Sequence, residues 1–294
     1  MRVLIATDGS LDATIAMRAA GRLLTSVERQ VEVLFVAPAP RALNTGKINA
    51  EKHQERIAAD TRRVLRDAKT TLAEEGIDAA LRCRSGSPVR EILREAVDYD
   101  ITVIGAKGRN ARSEGGLGPV ASRLVEHGSG CVLIGRELPS EKGVRILVAV
   151  DGSSGSARAL DQLNSFFDLG YAEITLLHVI ETLWLPPKED QTSGESDLES
   201  MQTDQLLMEL RREAEQLLLA ARDRIVERHP GVTTSIREGV PGNEILSEAD
   251  QGDYDLVVVG ASEATDMKHT MLGSVSSKVA WNAPCSVLVV RLPA

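Results

Sequence analysis

Two segments of this 294-residue chain have the residue types and spacing of a phosphate-binding loop. The first reads Gly105-Ala106-Lys107-Gly108, then nine residues, then Gly118-Pro119; the second reads Gly260-Ala261-Ser262-Glu263, then nine residues, then Gly273-Ser274. A glycine at the end of a strand lets a ligand lie against the backbone, and a glycine before a helix leaves amide donors that point toward an anion. The spacing therefore indicates two candidate phosphate sites.

The two loops belong to a repeat that covers the whole chain. Residues 2–10 return as residues 145–153, and Asp98-Tyr99-Asp100 returns as Asp253-Tyr254-Asp255. Each copy alternates strand-like apolar runs with amphipathic helical segments, as in parallel sheets with helical crossovers. We predict an α/β fold of two tandem, doubly wound, five-stranded parallel-sheet domains, at residues 1–142 and 143–294.

The predicted elements also indicate where a ligand would bind. Strands of the first half are expected at residues 3–7, 31–36, 79–84, 101–104 and 131–134, and helices are expected to begin at Pro88 and Pro119. In doubly wound sheets the ligand lies beyond the carboxyl ends of the strands, where the winding reverses. If the first strand is central, Asp8 and the loop that opens at Gly105 bound that place.

The loop spacing, the Asp-Gly-Ser turns at Asp8 and Asp151, and the Gly-x-Pro segment before each third helix resemble the universal stress protein family. Its signature is Gly, two residues, Gly, nine residues, Gly, then Ser or Thr. The resemblance covers both halves and implies an adenine nucleotide alpha hydrolase-like fold that binds ATP or a related adenine nucleotide, with or without Mg²⁺. It also implies that the glycine loop lies on the ribose and phosphates, with the Asp after the first strand and the Val ending the second strand near the adenine.

The candidate binding residues are the positions that match this pattern and their neighbours. In the first half they are Thr7, Asp8, Val36, Gly105, Lys107, Gly108, Arg109, Gly118 and Val120. In the second half they are Asp151, Val179, Gly260, Gly273, Ser274 and Val275. The sequence assigns no catalytic residue and no metal ligand.

Neither loop matches the signature completely. Pro119 replaces the Ser or Thr, which removes a hydroxyl and a backbone N–H, although proline also suits the first turn of a helix. Glu263 replaces the middle glycine of the second loop and places an acid where phosphates would lie. The first loop instead carries Lys107, Arg109 and Arg112.

The charge of the chain is distributed unevenly between the halves. Residues 1–142 carry 22 Lys and Arg against 19 Asp and Glu, a net charge of +3, whereas residues 143–294 carry 12 against 24, a net charge of −12. A cationic loop in a positive half favours a polyanion, and a loop with Glu263 and Asp266 in a negative half does not. We therefore expect the nucleotide to bind the first half better.

The resemblance implies a universal stress protein that binds the nucleotide as a regulatory ligand in the stress response. Two alternatives remain open: a scaffold or signalling partner that has lost nucleotide binding, as Pro119 and Glu263 suggest, and a weak ATPase. P-loop and dinucleotide-binding motifs do not occur. Domains of the family commonly pair through their fifth strands, so we expect the halves to pair within the chain; a homodimer is left open.

Composition argues against other classes of protein. Apolar residues make up 43% and charged residues 26%, as in globular domains, but only 3% are aromatic, too few to favour stacking of nucleic-acid bases. No run approaches the roughly 18 apolar residues of a membrane span. Cys83, Cys131 and Cys285 lack the spacing of metal ligands or of a disulfide framework. Cysteines of this kind are typical of a reducing compartment, so we expect the protein in the cytoplasm. We expect no nucleic-acid and no membrane partner.

Two further features are interpreted first without a binding role. His178, before Val179 at the end of a strand, and His269, inside the second loop, are interpreted as packed or solvated side chains, with contact to the ligand as the alternative for each. The segment between the second strand and Gly-x-Pro is longer in the second half, and we expect its polar, acidic residues 188–204 to form a mobile loop, with a role as a lid or in partner docking as the alternative.

Overall fold

The computed structural model describes residues 1–24, 28–39, 47–109, 116–138, 143–167, 172–182, 196–225, 231–261 and 272–291. For residues 47–50 and 196–200 it describes the backbone only. In the first half the elements are β1 (Arg2–Thr7), α1 (Leu11–Leu23), β2 (Gln30–Ala37), α2 (Lys47–Glu74), β3 (Ala79–Ser85), α3 (Pro88–Ala96), β4 (Ile101–Gly105), α4 (Pro119–His127) and β5 (Cys131–Gly135). In the second half they are β6 (Val144–Ala149), α5 (Ser154–Phe166), β7 (Ala172–Glu181), α6 (Ser196–Asp223), β8 (Val232–Gly239), α7 (Pro241–Gln251), β9 (Leu256–Gly260), α8 (Ser274–Asn282) and β10 (Ser286–Val290).

The described strands form one ten-stranded sheet in the order β3-β2-β1-β4-β5-β10-β9-β6-β7-β8. Within each half the strands are parallel, with β1 between β2 and β4, and β6 between β7 and β9. The halves meet where β5 and β10 pair antiparallel, with Leu133 opposite Leu288. The predicted fold and the predicted pairing through the fifth strands are both confirmed.

Strands β4, β5 and β10, in the middle of the sheet, are buried along their whole length because helices cover both faces of the sheet, whereas the edge strands β3 and β8 include exposed and charged residues. Val3 and Ile5 of β1 belong to one buried cluster, and Leu4 and Ala6 belong to a second cluster on the opposite face. The central strand β5 is buried at every residue. The sheet is therefore a rigid support, and the turns at the carboxyl ends of its strands are fixed in position.

Short turns after the first strand of each half start the next helix. Gly9 has φ +74°, in the left-handed region, and the hydroxyl of Ser10 accepts a hydrogen bond from the amide of Ala13 at 3.2 Å. In the second half the hydroxyl of Ser153 accepts from the amide of Ser156 at 3.1 Å. Serine before a helix is a favoured cap, so the Asp-Gly-Ser sequence ends the strand and begins the helix in three residues.

The expectation of a loop at residues 188–204 was wrong for its second part, because α6 begins at Ser196. The sequence Ser-Asp-Leu-Glu at 196–199 carries the signals that favour a helix N-terminus, and these outweigh the polarity of the segment. The first part of that segment lies outside the described residues. Of the helices described, none combines the length and the apolar composition that crossing a membrane requires.

Candidate functional site

A cavity of about 420 Å³ opens beyond the carboxyl ends of β1, β2 and β4. This is where the strand order reverses, on either side of β1. All nine candidate residues of the first half line this cavity: Thr7, Asp8, Val36, Gly105, Lys107, Gly108, Arg109, Gly118 and Val120. The fold therefore brings together residues that are more than a hundred positions apart in the sequence.

The carboxylate of Asp8 joins the turn after β1 to the glycine loop after β4. Its Oδ1 accepts a hydrogen bond from the amide of Ser10 at 2.9 Å, and its Oδ2 accepts one from the amide of Arg109 at 2.8 Å. Gly108 lies so close to this carboxylate that a Cβ on it would be 2.7 Å from Asp8 Oδ2. Glycine is required at this position because any side chain would displace the carboxylate.

Gly105 allows the end of β4 to approach the start of α1. A Cβ at this position would lie 2.6 Å from the carbonyl carbon of Asp12. Any larger residue would therefore separate α1 from the sheet and move the Asp8 turn with it. Gly105 therefore both lines the cavity and allows α1 to pack closely against β4.

The floor and the rim of the first cavity differ in chemistry. The floor is apolar and includes Leu34, Val36 and Ile92, which are all buried. The rim contains the glycine loop and the start of α4, where Gly118 precedes the helix and Pro119 is its first residue. Proline has no N–H to lose at that position, and the following amides remain available as donors. The cavity can therefore accept a ligand with one apolar and one anionic end.

Asp60 of α2 also lines the cavity and was missed by the sequence reasoning. Arg109 Nη1 donates a hydrogen bond to Asp60 Oδ2 at 2.8 Å, and Arg63 Nη2 donates one to Asp60 Oδ1 at 2.6 Å. The bond from Arg109 is the largest cause, and with Arg63 it outweighs burial and holds the pKa of Asp60 below its ordinary value. No motif in the sequence marks Asp60, because α2 reaches the loop only through tertiary packing.

A second cavity, of about 390 Å³, lies at the equivalent place beyond β6, β7 and β9. All six candidate residues of the second half line it: Asp151, Val179, Gly260, Gly273, Ser274 and Val275. At several matching positions its lining is more polar than that of the first cavity: Ser156 replaces Ala13, His178 replaces Phe35, Glu181 replaces Pro38 and Ser276 replaces Ala121. The second cavity is consequently the more polar of the two.

Hydrogen bonds fix the polar groups of the second cavity. Asp151 Oδ1 accepts from the amide of Ser153 at 2.9 Å. Burial acts to raise the pKa of Asp151, but hydrogen bonds from Ser153 and Ser156 outweigh it, and the pKa is lowered. His178 lines this cavity, and its Nδ1 lies 2.7 Å from the carbonyl oxygen of Val150. This bond to the backbone orients the ring.

Several sequence-based predictions fall on residues that the structure does not describe. They concern Arg112 in the first loop and Ser262, Glu263, Asp266 and His269 in the second loop. Within the described part of the chain, no three His, Cys, Asp or Glu side chains are grouped so that they could hold a metal ion.

Comparison with known proteins gives consistent matches to one family. The model of the universal stress protein family matches twice, at residues 1–136 and 144–291. Universal stress protein YxiE of Bacillus subtilis is 33% identical over 147 residues, which is 50% of this chain and 98% of that protein. A universal stress protein of Mycolicibacterium smegmatis is 25% identical over 302 residues, covering 98% of this chain and 96% of its own length.

A solved structure supports the same fold across both halves. The crystal structure of a universal stress protein from Archaeoglobus fulgidus has a TM-score of 0.68 and covers 100% of this chain and 98% of its own. Its sequence identity is 20%, so it shows the fold alone.

Proposed function

We propose that this chain, which belongs to the universal stress protein family, binds an adenine nucleotide, ATP in the first instance, as a regulatory ligand in the stress response. The observation that carries the proposal is the two-part lining of the first cavity, with an apolar floor and a rim of glycines, backbone amides and charged side chains that include Lys107 and Arg109. A volume of about 420 Å³ lies within the range of small-molecule sites.

Each part of the first cavity would meet a different part of the nucleotide. The base would lie against Val36 and Ile92, and the ribose would lie on the backbone near Gly105. The phosphates would face Gly118 and the amides at the start of α4, where the positive end of the helix dipole favours an anion. Lys107 would add a positive charge.

We propose further that the first cavity binds the nucleotide better than the second. In the first cavity Lys107 and Arg109 balance the charges of Asp8 and Asp60. The second cavity has Asp151 and Glu181, and no Lys or Arg among its described lining residues. An anion would therefore meet less repulsion in the first cavity than in the second.

A Mg²⁺ ion held by Asp8 and Asp60 is not part of the proposal. Both oxygens of Asp8 accept hydrogen bonds from backbone amides, and both oxygens of Asp60 accept hydrogen bonds from arginines. A cation would have to share these oxygens with their hydrogen-bond donors, and Arg63 and Arg109 would repel it at Asp60.

The domain boundary and the location of the protein are also proposed. The family matches at residues 1–136 and 144–291 support a boundary between residues 142 and 143. Three unpaired cysteines, of which Cys131 and Cys285 are buried and Cys83 is exposed, support a reducing compartment, the cytoplasm.

Calorimetric titration of the full chain with ATP tests the site and its preference for the first half. Lys107→Glu places a negative charge in the first cavity, and we expect the affinity to fall about tenfold or more. Lys69→Glu makes the same change of charge on the exposed surface of α2, and we expect it to leave the affinity almost unchanged.

The same samples separate the proposal from its alternatives. ATP binding that Lys107→Glu does not weaken would contradict the first-half site. No binding of ATP, ADP or AMP, together with no nucleotide released on denaturation, would favour the scaffold. Steady release of phosphate from ATP would favour the ATPase.

A further inference from the structure

Trp281, near the end of α8 in the second half, packs against the glycine loop of the first half. Gly116 has φ +72°, and a Cβ on it would lie 2.8 Å from Cε3 and 3.0 Å from Cζ3 of Trp281. The indole ring therefore occupies the space where any other residue would place its side chain. A positive φ and a close aromatic neighbour together require glycine at this position.

The backbone in contact with Trp281 leads directly into the first cavity. Gly116 is followed by Leu117, which is 6% exposed and belongs to the apolar core, and then by Gly118, which lines the cavity. The amide of Gly118 donates a hydrogen bond to the carbonyl oxygen of Ala106 at 2.8 Å, which closes the loop at its base. Trp281 thus supports one side of the segment that places Gly118 and begins α4.

The position of Trp281 is itself fixed by the first half. Arg136, directly after β5, donates from Nη2 to the carbonyl oxygen of Ala280 at 2.8 Å and from Nη1 to that of Cys285 at 3.1 Å. Ala280 is the residue before Trp281, so this bond holds the end of α8 next to the first loop. The other end of α8 begins at Ser274, which lines the second cavity. The helix therefore extends from the second cavity to the first loop.

The residue at this helix position differs between the two copies of the repeat. The matching position on α4 is Glu126, whose Oε1 accepts a hydrogen bond from the hydroxyl of Ser122 at 3.1 Å on the same helix. The aromatic ring that contacts Gly116 is therefore a feature of α8 that α4 does not share.

We propose that Trp281 is a positioning residue for nucleotide binding in the first cavity, so that the first site is completed by the second half of the chain. This inference depends on the proposed function, because it assigns a role within the same site. Trp281 touches the loop that faces the phosphates and acts through that loop. Trp281 is 39% exposed, because one side of the ring faces solvent while the other packs on the loop.

The test titrates ATP into the full chain and compares three variants. Trp281→Ala removes the ring, and we expect the affinity for ATP to fall about three- to thirtyfold, the range typical of residues that affect binding without contacting the ligand. Trp281→Phe keeps an aromatic ring and should restore most of the affinity. Leu219→Ala is the matched control, because Leu219 is an apolar side chain of α6 that is 55% exposed. It should bind ATP like the unmodified chain.

Fluorescence gives a readout that a loss of stability alone would not produce. The chain has two tryptophans, so Trp184→Phe leaves Trp281 as the only one. ATP should then change the emission of Trp281, with a midpoint equal to the dissociation constant from calorimetry. This measurement also remains informative if Trp281→Ala fails to fold.

The outcomes distinguish the inference from the function on which it rests. If the unmodified chain binds no ATP, both fail. If it binds ATP, and Trp281→Ala binds equally well or the emission of Trp281 does not change, the positioning role is overturned and the nucleotide site stands. Loss of affinity in Trp281→Ala with recovery in Trp281→Phe supports the positioning role.

Discussion

Arg109 and Asp60 form an ion pair at the rim of the first cavity, and each side chain is about one third exposed, at 36% and 35%. Ion pairs with this exposure are screened by solvent and contribute about 0–1 kcal/mol. Because the pKa of Asp60 is lowered in the folded protein, its contribution is present at neutral pH and is lost as the pH falls through the folded pKa, below the ordinary value of 3.8.

We therefore predict that Asp60→Asn lowers the free energy of unfolding at pH 7 by less than about 1 kcal/mol. The difference from the unmodified chain should shrink as the pH falls below about 4, where the carboxylate becomes protonated. Urea denaturation of both proteins at a series of pH values measures this difference in the free energy of unfolding. A difference that persists unchanged in acid would contradict a contribution from the charge of the aspartate.

The three cysteines differ in burial and should differ in reactivity. Burial is the largest cause that raises the pKa of Cys131 to about 11 and that of Cys285 to about 12. Both thiols are therefore protonated at pH 8 and are also inaccessible, whereas Cys83 of β3 is exposed. We predict that iodoacetamide labels Cys83 alone in the native protein, as measured by mass spectrometry.

Denatured protein provides the control for this labelling. It should take up the label at all three cysteines, and Cys83→Ser should take up none in the native state. Rapid native labelling of Cys131 or Cys285 would show that the strands at the junction of the halves open readily.

The candidate positions could be predicted from the sequence because local chemistry requires them. Gly105 and Gly108 are required by close contacts with Asp12 and Asp8, and a fixed spacing reveals such glycines. Asp60 and Trp281 could not be predicted in this way. Each contacts the first loop from a helix that is distant in the sequence, so only the folded structure shows the contact.

At the scale of elements, two arginines cross between the halves and cap the helices on the other side. Arg136 follows β5 and donates to the carbonyl oxygens of Ala280, in the last turn of α8, and of Cys285, which lies between α8 and β10. Arg291 follows β10, is 5% exposed, and donates to the carbonyl oxygens of Val125, Glu126 and Gly128 at the end of α4. Burial lowers the pKa of both guanidinium groups, but such groups stay charged. Their positive charge suits a helix C-terminus.

We predict that Arg291→Met lowers the free energy of unfolding by about 2–4 kcal/mol, because several buried carbonyl groups lose a charged donor. Urea denaturation measures the change. Arg123→Met on the exposed face of α4, where the arginine side chain is 59% exposed, should change the free energy by less than about 0.5 kcal/mol. Equal effects of the two substitutions would contradict the capping role.

The bounds of most elements could be predicted because their signals are local. Pro88, Pro119 and Pro241 each stand at the first position of a helix. Residues 196–204 were predicted to belong to a loop but belong to α6, because the polarity of the segment was given more weight than its helix-start signals. The arginine caps carry no local signal, because their carbonyl partners lie in the other half of the chain.

For the whole molecule, the junction between the halves depends on the fifth strands. β5 and β10 pair antiparallel, and their paired residues, including Leu133 and Leu288, are fully buried. An isolated first half, residues 1–142, would expose β5 as an apolar edge strand with unpaired backbone groups. The pairing is nearly symmetric, so a second copy of that half could take the place of β10.

We therefore predict that residues 1–142, expressed alone, form a dimer through β5, with twice the mass of the fragment in size-exclusion chromatography with light scattering. In such a dimer Arg136 of each copy would cap α4 of the other, as Arg291 does in the full chain. Arg136→Met should therefore shift the fragment toward the monomer, and Arg123→Met should not. A monomeric fragment with native-like helical content would show that β5 does not need a partner, and the joining of the halves would then depend on the covalent link between them.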